Sequence, residues 1–255
     1  MSVQACANLV ARADPPRFKA AMAAPLACRP VLLALYAANV EISRAPWVTQ
    51  EHLIAEMRLQ WWRDVFDELA QGTPRRHDVV DALRPVFDRV PTTHMQAAID
   101  ARQWDIYKEP HATLDAALDY CRATTAGAMI TGFLALGGGT RHVPTLLDLA
   151  GAAGFARFIN SARALMGHGV AAPLAVHIYP DLRDALVQHY QTYQAALSQF
   201  RGRAPSHAVL IELAGTGRVF KHLLRQGDLT NPPPLTAPLA TAWDRMWLAR
   251  RVIAP

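Results

Sequence analysis

Three carboxylates on one predicted helix are the first residues whose types and spacing could perform chemistry. Asp64, Asp67 and Glu68 lie close together, on the side of the helix opposite its apolar residues. A group of carboxylates can hold a divalent cation such as Mg²⁺, which prefers oxygen ligands. The alternative is a solvated acidic face beside Arg63, because acidic side chains are seldom buried. The sequence leaves both interpretations open.

Other catalytic and metal-binding patterns are absent from the sequence. It contains no HExxH, no pair of histidines at metal-ligand spacing and no GxSxG elbow. The cysteines Cys6, Cys28 and Cys121 share no CxxC spacing, which argues against a metal knuckle and a secreted disulfide scaffold. The net charge of +5 comes from scattered arginines rather than a basic stripe, so nucleic-acid binding is disfavoured.

The elements that must position these residues are predicted to be helices. Helical periodicity recurs along the chain, and no alternating strand pattern lasts more than a few residues. Hydrophobic residues make up 51% of the chain, which is enough for a substantial core. The sequence predicts one all-α domain. Its predicted helices cover residues 17–24, 29–44, 50–70, 77–88, 94–107, 113–136, 144–167, 180–200, 206–226 and 239–251, with Thr49 capping the third.

One proline-rich stretch predicts the domain organisation. Residues 1–230 are expected to form the helical domain, and residues 231–238 (NPPPLTAP) a linker that no helix crosses. Residues 239–255 are expected to form a C-terminal helix that packs on the domain or docks on a membrane or partner. Its Trp243, Trp247, Arg250 and Arg251 have the composition of an interfacial helix that suits anionic lipid.

No signal peptide or membrane-spanning helix is predicted. The longest uncharged run, ATTAGAMITGFLALGGGT, is short for a span and rich in small residues, so a buried core helix is expected there. The expected location is cytoplasmic, or peripheral on the inner face of the cytoplasmic membrane.

Three stretches, in this order, resemble the squalene/phytoene synthase family of head-to-head prenyl synthases. The first is CRPVLLALYAANVEISRAP with the downstream EMRLQWWRDVFDEL. The second is AAIDARQWDIY, in which Asp105 matches a family Asp, and the third is LDYCRATTAGAMITGFLALGG, which Tyr120 leads. The resemblance implies an all-α, single-domain, isoprenoid-synthase-like helical fold with a deep apolar pocket. In that family, Mg²⁺ held by two Asp-rich motifs takes the charge that develops as a prenyl diphosphate ionises.

The positions of both Asp-rich motifs carry other residues in this chain. They are Ser43, Arg44 and Trp47 in the first motif, and Ala164 and His168 in the second. The stretches NVEISR and RLQWWRD resemble more specifically a divergent branch of the family, related to a mitochondrial assembly factor for respiratory complex I. That branch implies a pseudoenzyme that needs no metal or other cofactor.

The resemblance also implies a set of ligand-binding residues around the pocket. They are Arg29, Tyr36, Asn39, Glu41, Arg44, Gln60, Arg63, Tyr120 and Arg163. Arg44 and Arg63 would meet a phosphate or lipid head group without metal, or else pair with Glu41 and Asp67 on neighbouring helix turns. Tyr120 would line the pocket or be an ordinary buried tyrosine, and Arg29 would face substrate or cap a helix.

Three functional hypotheses follow. The first is a non-catalytic family member that acts in respiratory complex I assembly or binds a prenyl lipid. Its partners would be a prenyl lipid or prenyl diphosphate, a respiratory-complex subunit, or a membrane surface. The second is an active prenyltransferase that condenses prenyl diphosphates with Mg²⁺, with Asp64, Asp67, Asp105 and Tyr120 as displaced catalytic residues. The third is a structural module whose pocket is filled by side chains.

Overall fold

Helices make up most of the chain in the computed structural model. The structure describes residues 2–167, 169–170, 172–233, 235 and 240–252, and side chains at all of these except residues 2, 251 and 252. The α-helices are α1 (Ser2–Ala13), α2 (Pro15–Ala23), α3 (Arg29–Arg44), α4 (His52–Ala70), α5 (Asp78–Phe87), α6 (Thr93–Ala101), α7 (Trp104–Tyr107), α8 (Leu114–Ala135), α9 (Val143–Asn160), α10 (Ala162–Gly167), α11 (Leu182–Gln199), α12 (Thr216–Leu224) and α13 (Ala242–Val252). Short 3₁₀ segments cover Leu26–Cys28, Ala45–Trp47, Thr140–His142, Val176–Asp181 and Pro205–Leu213. The all-α prediction is confirmed.

Helix α3 begins and ends where the sequence predicts. Pro30 occupies the first turn, where its missing N–H costs nothing. Most residues from Leu32 to Ile42 are buried, so α3 is a core helix. The segment Leu26–Trp47 has the length and mean hydropathy (1.3) that a membrane span needs, but 61% of its most apolar window is buried inside the protein.

Helices α8 and α9 cross closely at the centre of the bundle. Most of α8 is buried, as expected for the uncharged run. The close approach depends on Gly154 of α9. A Cβ atom there would lie 2.5 Å from Thr125 Oγ1 and 2.6 Å from the carbonyl oxygen of Cys121, both on α8. Only glycine therefore allows these two helices to sit at this distance.

Several predicted boundaries are wrong for local reasons. Helix α1 was not predicted. The predicted helix 94–107 is interrupted after Ala101, where Arg102 turns away and forms side-chain bonds described below. The predicted helix 144–167 is divided after Asn160, and the first part of 206–226 is a 3₁₀ segment. Gly215, with a left-handed φ of 86°, separates that segment from α12. Thr49 does not cap α4 but accepts a bond from the Glu51 N–H.

The C-terminal helix α13 packs on the rest of the protein. It contacts α2 and the 3₁₀ segment Pro205–Leu213, and Leu248 is buried in the core. Thr241 and Asp244 form a reciprocal cap at its start, and Asp244 pairs with Arg218 of α12. Residues 234 and 236–239 of the predicted linker lie outside the described residues, as do residues 253–255.

Candidate functional site

A cavity of about 390 Å³ lies between α2, α8, α9, α13 and the segment that leads into α12. Part of its wall is apolar, with the side chains of Trp47, Phe158, Leu165, Ile211 and Val219. The polar part carries four arginines and three carboxylates. They are Arg17, Arg102, Arg157, Arg245, Asp14, Asp105 and Glu212. The volume falls within the range of small-molecule sites, so the hypothesis of a pocket filled by side chains is wrong.

The first polar group, which we call the Arg17–Glu212 cluster, consists of Asp14, Arg17, Tyr36, Arg157 and Glu212. Asp14 caps α2 by accepting a bond from the Arg17 N–H at 3.1 Å, and this cap aims Arg17 inward. Arg17 Nε donates to Glu212 Oε2 at 2.6 Å, and the Arg17 guanidinium lies 5.4 Å from the centre of the Tyr36 ring. Burial opposes the charge on Arg17, but Glu212 and Asp14 outweigh burial and raise the Arg17 pKa.

Arg157 brings a second guanidinium to this cluster. Its Nη2 donates to the backbone carbonyl of Glu212 at 2.7 Å, and burial lowers its pKa. Three buried oxygens in or beside the cluster have no hydrogen-bond partner: Tyr36 Oη, Glu212 Oε1 and Thr216 Oγ1. The cluster therefore retains hydrogen-bonding capacity that its own members do not use.

The second polar group, which we call the Arg102 triad, consists of Arg102, Asp105 and Tyr120. Arg102 Nη1 donates to Asp105 Oδ2 and to Tyr120 Oη, and Tyr120 Oη donates to Asp105 Oδ1, each at 2.9 Å. Each carboxylate oxygen of Asp105 thus has a donor. Burial raises the Tyr120 pKa, which keeps its phenol protonated. Arg102 can reach both partners because the chain turns between α6 and α7.

Aromatic rings pack against Tyr120 of the Arg102 triad. His111 stacks on Trp104 with ring centres 4.4 Å apart, and both contact Tyr120 and Phe158 at 5.1–5.8 Å. Burial lowers the His111 pKa to about 4. The backbone N–H of His111 donates to the carbonyl of Pro173 at 3.2 Å, which joins this region to the segment after α10. This packing fixes the wall on which the triad lies.

Some sequence-predicted site residues do lie at the cavity. Asp105 and Tyr120 line it, as does Trp47, which occupies a metal-motif position of the family. The ring of Tyr36 on α3 contacts the guanidinium of Arg17, and Asn39 is also buried on α3. Tyr36 and Asn39 lie on α3, Trp47 in the 3₁₀ segment that follows it, Asp105 on α7 and Tyr120 on α8.

The α4 residues lie outside the cavity lining. Asp64 accepts a bond from Gln60 at 2.7 Å, and Asp67 accepts one from Gln96 at 2.7 Å. Arg63 pairs with Asp100 at 2.8 Å rather than with Asp67. The expectation that Asp64 and Asp67 face the pocket is wrong, because α4 buries its opposite, apolar side.

The remaining predicted residues are also outside the lining. Arg29 donates to the carbonyls of Met22 and Ala24 and so joins α2 to α3, which agrees with its structural interpretation. Arg163 bonds Asn231 at 2.9 Å on the surface. Arg44 is exposed, and Glu41 is half-buried without lining the cavity.

Sequence reasoning missed six charged residues of the lining: Asp14, Arg17, Arg102, Arg157, Glu212 and Arg245. The clearest missed indication is Arg157. Between Val143 and Asn160 the sequence of α9 has only one other charged residue, Asp148. A lone arginine in such an apolar helix indicates a buried or cavity-facing charge.

The described residues do not fit the magnesium that the family implies. Mg²⁺ needs several free carboxylate oxygens, yet each cavity carboxylate is paired with an arginine, and Glu212 keeps a single oxygen without a partner. Within the described part of the chain, no three His, Cys, Asp or Glu side chains converge as a metal site. His168, at a motif position, lies outside the described residues.

The chain belongs to the squalene/phytoene synthase family, whose profile matches residues 10–165. No curated protein sequence matches the chain. A solved dehydrosqualene synthase in complex with ligand is similar over 98% of this chain and 94% of its own, with a TM-score of 0.71 and 12% identity. Squalene synthase HpnC from Alicyclobacillus acidocaldarius is similar over 92% and 95%, with a TM-score of 0.69 and 13% identity. These likenesses confirm the isoprenoid-synthase-like fold.

Proposed function

We propose that this family member holds a prenyl-type lipid in its cavity and has no metal-dependent synthase activity. One observation carries the proposal: every carboxylate in the described cavity lining is paired with an arginine. Asp14 and Glu212 pair with Arg17, and Asp105 pairs with Arg102. The apolar part of the wall would accommodate the lipid chain.

The pairing opposes metal binding for an energetic reason. A divalent cation would have to displace a guanidinium from its carboxylate, leaving a buried charge without compensation. Breaking a buried ion pair in this way costs about 3–5 kcal/mol. An ordinary Mg²⁺ site keeps its carboxylates available, because the ion binds through them and through substrate phosphates.

The test is diphosphate release from farnesyl and geranylgeranyl diphosphate by the purified protein, with Mg²⁺ and a reductant. We expect no release above a heat-denatured control. Release that is lost on chelation would overturn the proposal. The same reactions, extracted and analysed for C30 and C40 hydrocarbons, would show which condensation took place.

The alternative is an active prenyltransferase with displaced acids, and the position of Asp105 and Tyr120 at the cavity favours it. Under this alternative Asp105→Asn abolishes turnover. Asp64→Asn serves as the matched control, because Asp64 lies outside the cavity lining. Turnover that survives Asp105→Asn would refute this assignment of the catalytic acid.

The C-terminal helix supports a second proposal, docking on an anionic membrane surface. Trp243 is 73% exposed and Trp247 58% exposed, and Arg250 of the same helix is exposed. The side chain of Arg251 lies outside the described residues. Indoles and cations together suit the interface of an anionic bilayer. We expect the protein to float with phosphatidylglycerol vesicles but not with phosphatidylcholine vesicles. The Trp243→Ala variant should lose flotation. Equal flotation with both lipids would contradict this proposal.

A role in respiratory complex I assembly is proposed from the sequence resemblance of NVEISR and RLQWWRD alone. The measurement is NADH:quinone oxidoreductase activity in membranes of the source organism after deletion of the gene. We expect the activity to fall, and to return with the wild-type gene. Unchanged activity would remove this role and leave lipid binding to be judged by itself.

A further inference from the structure

A groove lies between α2 and α13 on the outside of the protein, and we call it the α2–α13 groove. Its volume is about 700 Å³. The side chains of its apolar floor are small or flexible and come from both walls. They are Met22, Ala23, Pro25, Met246 and Ala249. Among the described residues only Arg245 lines both the groove and the central cavity, so the two are separate spaces.

Helix α13 turns three different sides to its surroundings. Successive residues of an α-helix are about 100° apart around the axis. Met246 and Ala249 therefore share one side of α13, and this side lines the groove. Leu248 lies on a second side and is buried in the core, whereas Trp243 and Trp247 lie on a third and are exposed. The groove thus lies between the part of α13 that packs on the protein and the part that carries the indoles.

Exposed apolar side chains border both walls of the groove. On the α2 wall, Leu26 directly follows the lining residue Pro25 and is 77% exposed. On the α13 wall, the indoles of Trp243 and Trp247 are exposed. Exposed apolar side chains gathered around a groove indicate an interaction surface. Indoles in particular suit the interface of a bilayer, because they have an apolar ring and a polar N–H.

The charges of the groove are positive. Lys19, Arg245 and Arg250 line it, and no acidic residue does so in the described part of the chain. Asp244, the acid of α13, pairs instead with Arg218 of α12. Within the residues that the structure describes, Lys19 and Arg250 form no ion pair. Their charges are therefore complementary to a surface of anionic lipid.

From this arrangement we infer that the α2–α13 groove is a phospholipid site, in which one acyl chain of an anionic bilayer lipid lies on the apolar floor while phosphate groups of the bilayer contact Lys19 and Arg250. Met22 and Met246 face the groove from opposite walls, and the unbranched side chain of methionine adapts to a chain of irregular shape. The protein would thus draw a lipid chain out of the bilayer in addition to lying on its surface.

This inference rests on the proposed docking of α13 on an anionic membrane, but the two fail in different ways. The full-length protein is floated with phosphatidylglycerol vesicles, and the variant Ala23→Phe fills the groove from its α2 wall. An acyl chain in the groove would be excluded by the added ring. We expect binding to weaken on the order of tenfold, the factor that burial of about two methylene groups contributes. On a surface that only adsorbs to the bilayer, an added phenylalanine would instead strengthen binding.

The direction of this change distinguishes the outcomes. If Ala23→Phe binds as well as the wild type or better, the groove site is overturned and the docking of α13 stands. If the wild type does not bind phosphatidylglycerol vesicles, both are overturned. Ala195→Phe is the matched control, at an exposed position of α11 outside the groove, and should not weaken binding. Ala249→Phe fills the groove from the other wall and replaces Ala23→Phe if circular dichroism shows the latter to be unfolded.

Two charge variants test the contacts with phosphate. Lys19→Gln and Arg250→Gln should each weaken binding about fivefold, as expected for the loss of one cation at an anionic bilayer. The control is Lys221→Gln, in which an exposed lysine of α12 outside the groove is replaced. If both groove variants bind like this control, the assignment of the phosphate contacts is wrong.

A cross-linking experiment locates the acyl chain. The probe is a phosphatidylglycerol with a diazirine near the end of one acyl chain, incorporated into the vesicles and irradiated with the protein bound. Mass spectrometry should find cross-links at Met22, Ala23 or Ala249. Cross-links confined to Trp243 and Trp247 would place the chain outside the groove and overturn the site. Sedimentation as a dimer that Ala23→Phe converts to a monomer would show that a second copy of the chain occupies the groove, which also overturns the lipid.

Discussion

The two polar groups of the cavity are built from the same residue types but differ in how completely they are bonded. In the Arg102 triad, both oxygens of Asp105 and the hydroxyl of Tyr120 have partners. In the Arg17–Glu212 cluster, one oxygen of Glu212 and the hydroxyl of Tyr36 have none. The triad is a closed network that holds a wall in place. The cluster is open, and Arg157, which bonds the backbone carbonyl of Glu212, belongs to it.

The difference indicates that the Arg102 triad stabilises the cavity wall and that the Arg17–Glu212 cluster takes part in ligand binding. A fully bonded buried network gives rigidity, whereas a partly bonded one costs stability unless something else completes it. We therefore expect the triad to respond to substitution mainly in stability. The open cluster should respond in stability and in ligand binding together.

The largest effect should come from removing the central charge of the open cluster. Glu212→Gln leaves Arg17 and Arg157 without their nearest carboxylate, and we expect a loss of about 3–5 kcal/mol in the free energy of unfolding. The control is Glu68→Gln, in the partly exposed Glu68–Arg75 pair, which should lose much less because solvent screens that pair. Urea denaturation measures both. Equal losses would show that burial does not distinguish the two pairs.

The next effect is a pH dependence beside the triad. The His111 pKa is about 4 in the folded protein and 6.5 ordinarily, so the unfolded chain takes up the proton first as the pH falls. The free energy of unfolding should therefore decrease between pH 6.5 and 4, by on the order of 3 kcal/mol, and this contribution should level off below pH 4. Urea denaturation across this range should show a shallower pH dependence in His111→Gln than in the wild type. Parallel profiles for wild type and His111→Gln would contradict the prediction.

The distance between helices α8 and α9, and so between the two polar groups, depends on Gly154. Helix α8 carries Tyr120 of the triad and α9 carries Arg157 of the cluster, and they touch at this glycine. Gly154→Ala would force the helices apart and should cost about 1–3 kcal/mol, as overpacking does elsewhere. Gly72→Ala removes a glycine with open space around its Cβ position, although its φ of 75° adds some strain of its own. Thermal unfolding compares them, and the prediction fails if Gly154→Ala is the milder change.

The smallest effects form a matched pair of hydroxyl deletions. Tyr120→Phe leaves an oxygen of Asp105 without its donor and should cost about 1–3 kcal/mol. Tyr36→Phe removes a hydroxyl that has no partner, so stability should stay the same or rise slightly. Chemical denaturation of the two variants decides whether the triad is closed and the cluster open. A larger loss in Tyr36→Phe would reverse that description.

The helices that local sequence defines well were predictable. Helix α3 has Pro30 at its start and an unbroken apolar run, and its predicted limits agree with the structure. The interruption at Arg102 was missed because the helical pattern continues through it. At the interruption Arg102 forms a tertiary bond to Tyr120, which lies 18 positions away in sequence, and the local pattern carries no sign of it.

The same limit applies to the site. Asp105 and Tyr120 were found because they lie in stretches that resemble the family. Arg17 and Glu212 are 195 positions apart, so neither residue alone indicates the pair. Glu212 also lies in a 3₁₀ segment beyond the stretches that carried the resemblance. The acids of α4 were prominent in sequence because they are clustered, but clustering of that kind is equally typical of a solvated helix face.

Helix α13 touches the cavity with Arg245 while it presents Trp243 and Trp247 outward. A single rigid element thus connects the interior to the surface. Coupling arises if a cavity ligand and a partner of the two indoles each bind one position of this helix more tightly than another. Thermodynamic reciprocity then requires each binding event to change the affinity of the other by one common factor. The C-terminal helix would in that case couple lipid binding in the cavity to binding at the protein surface.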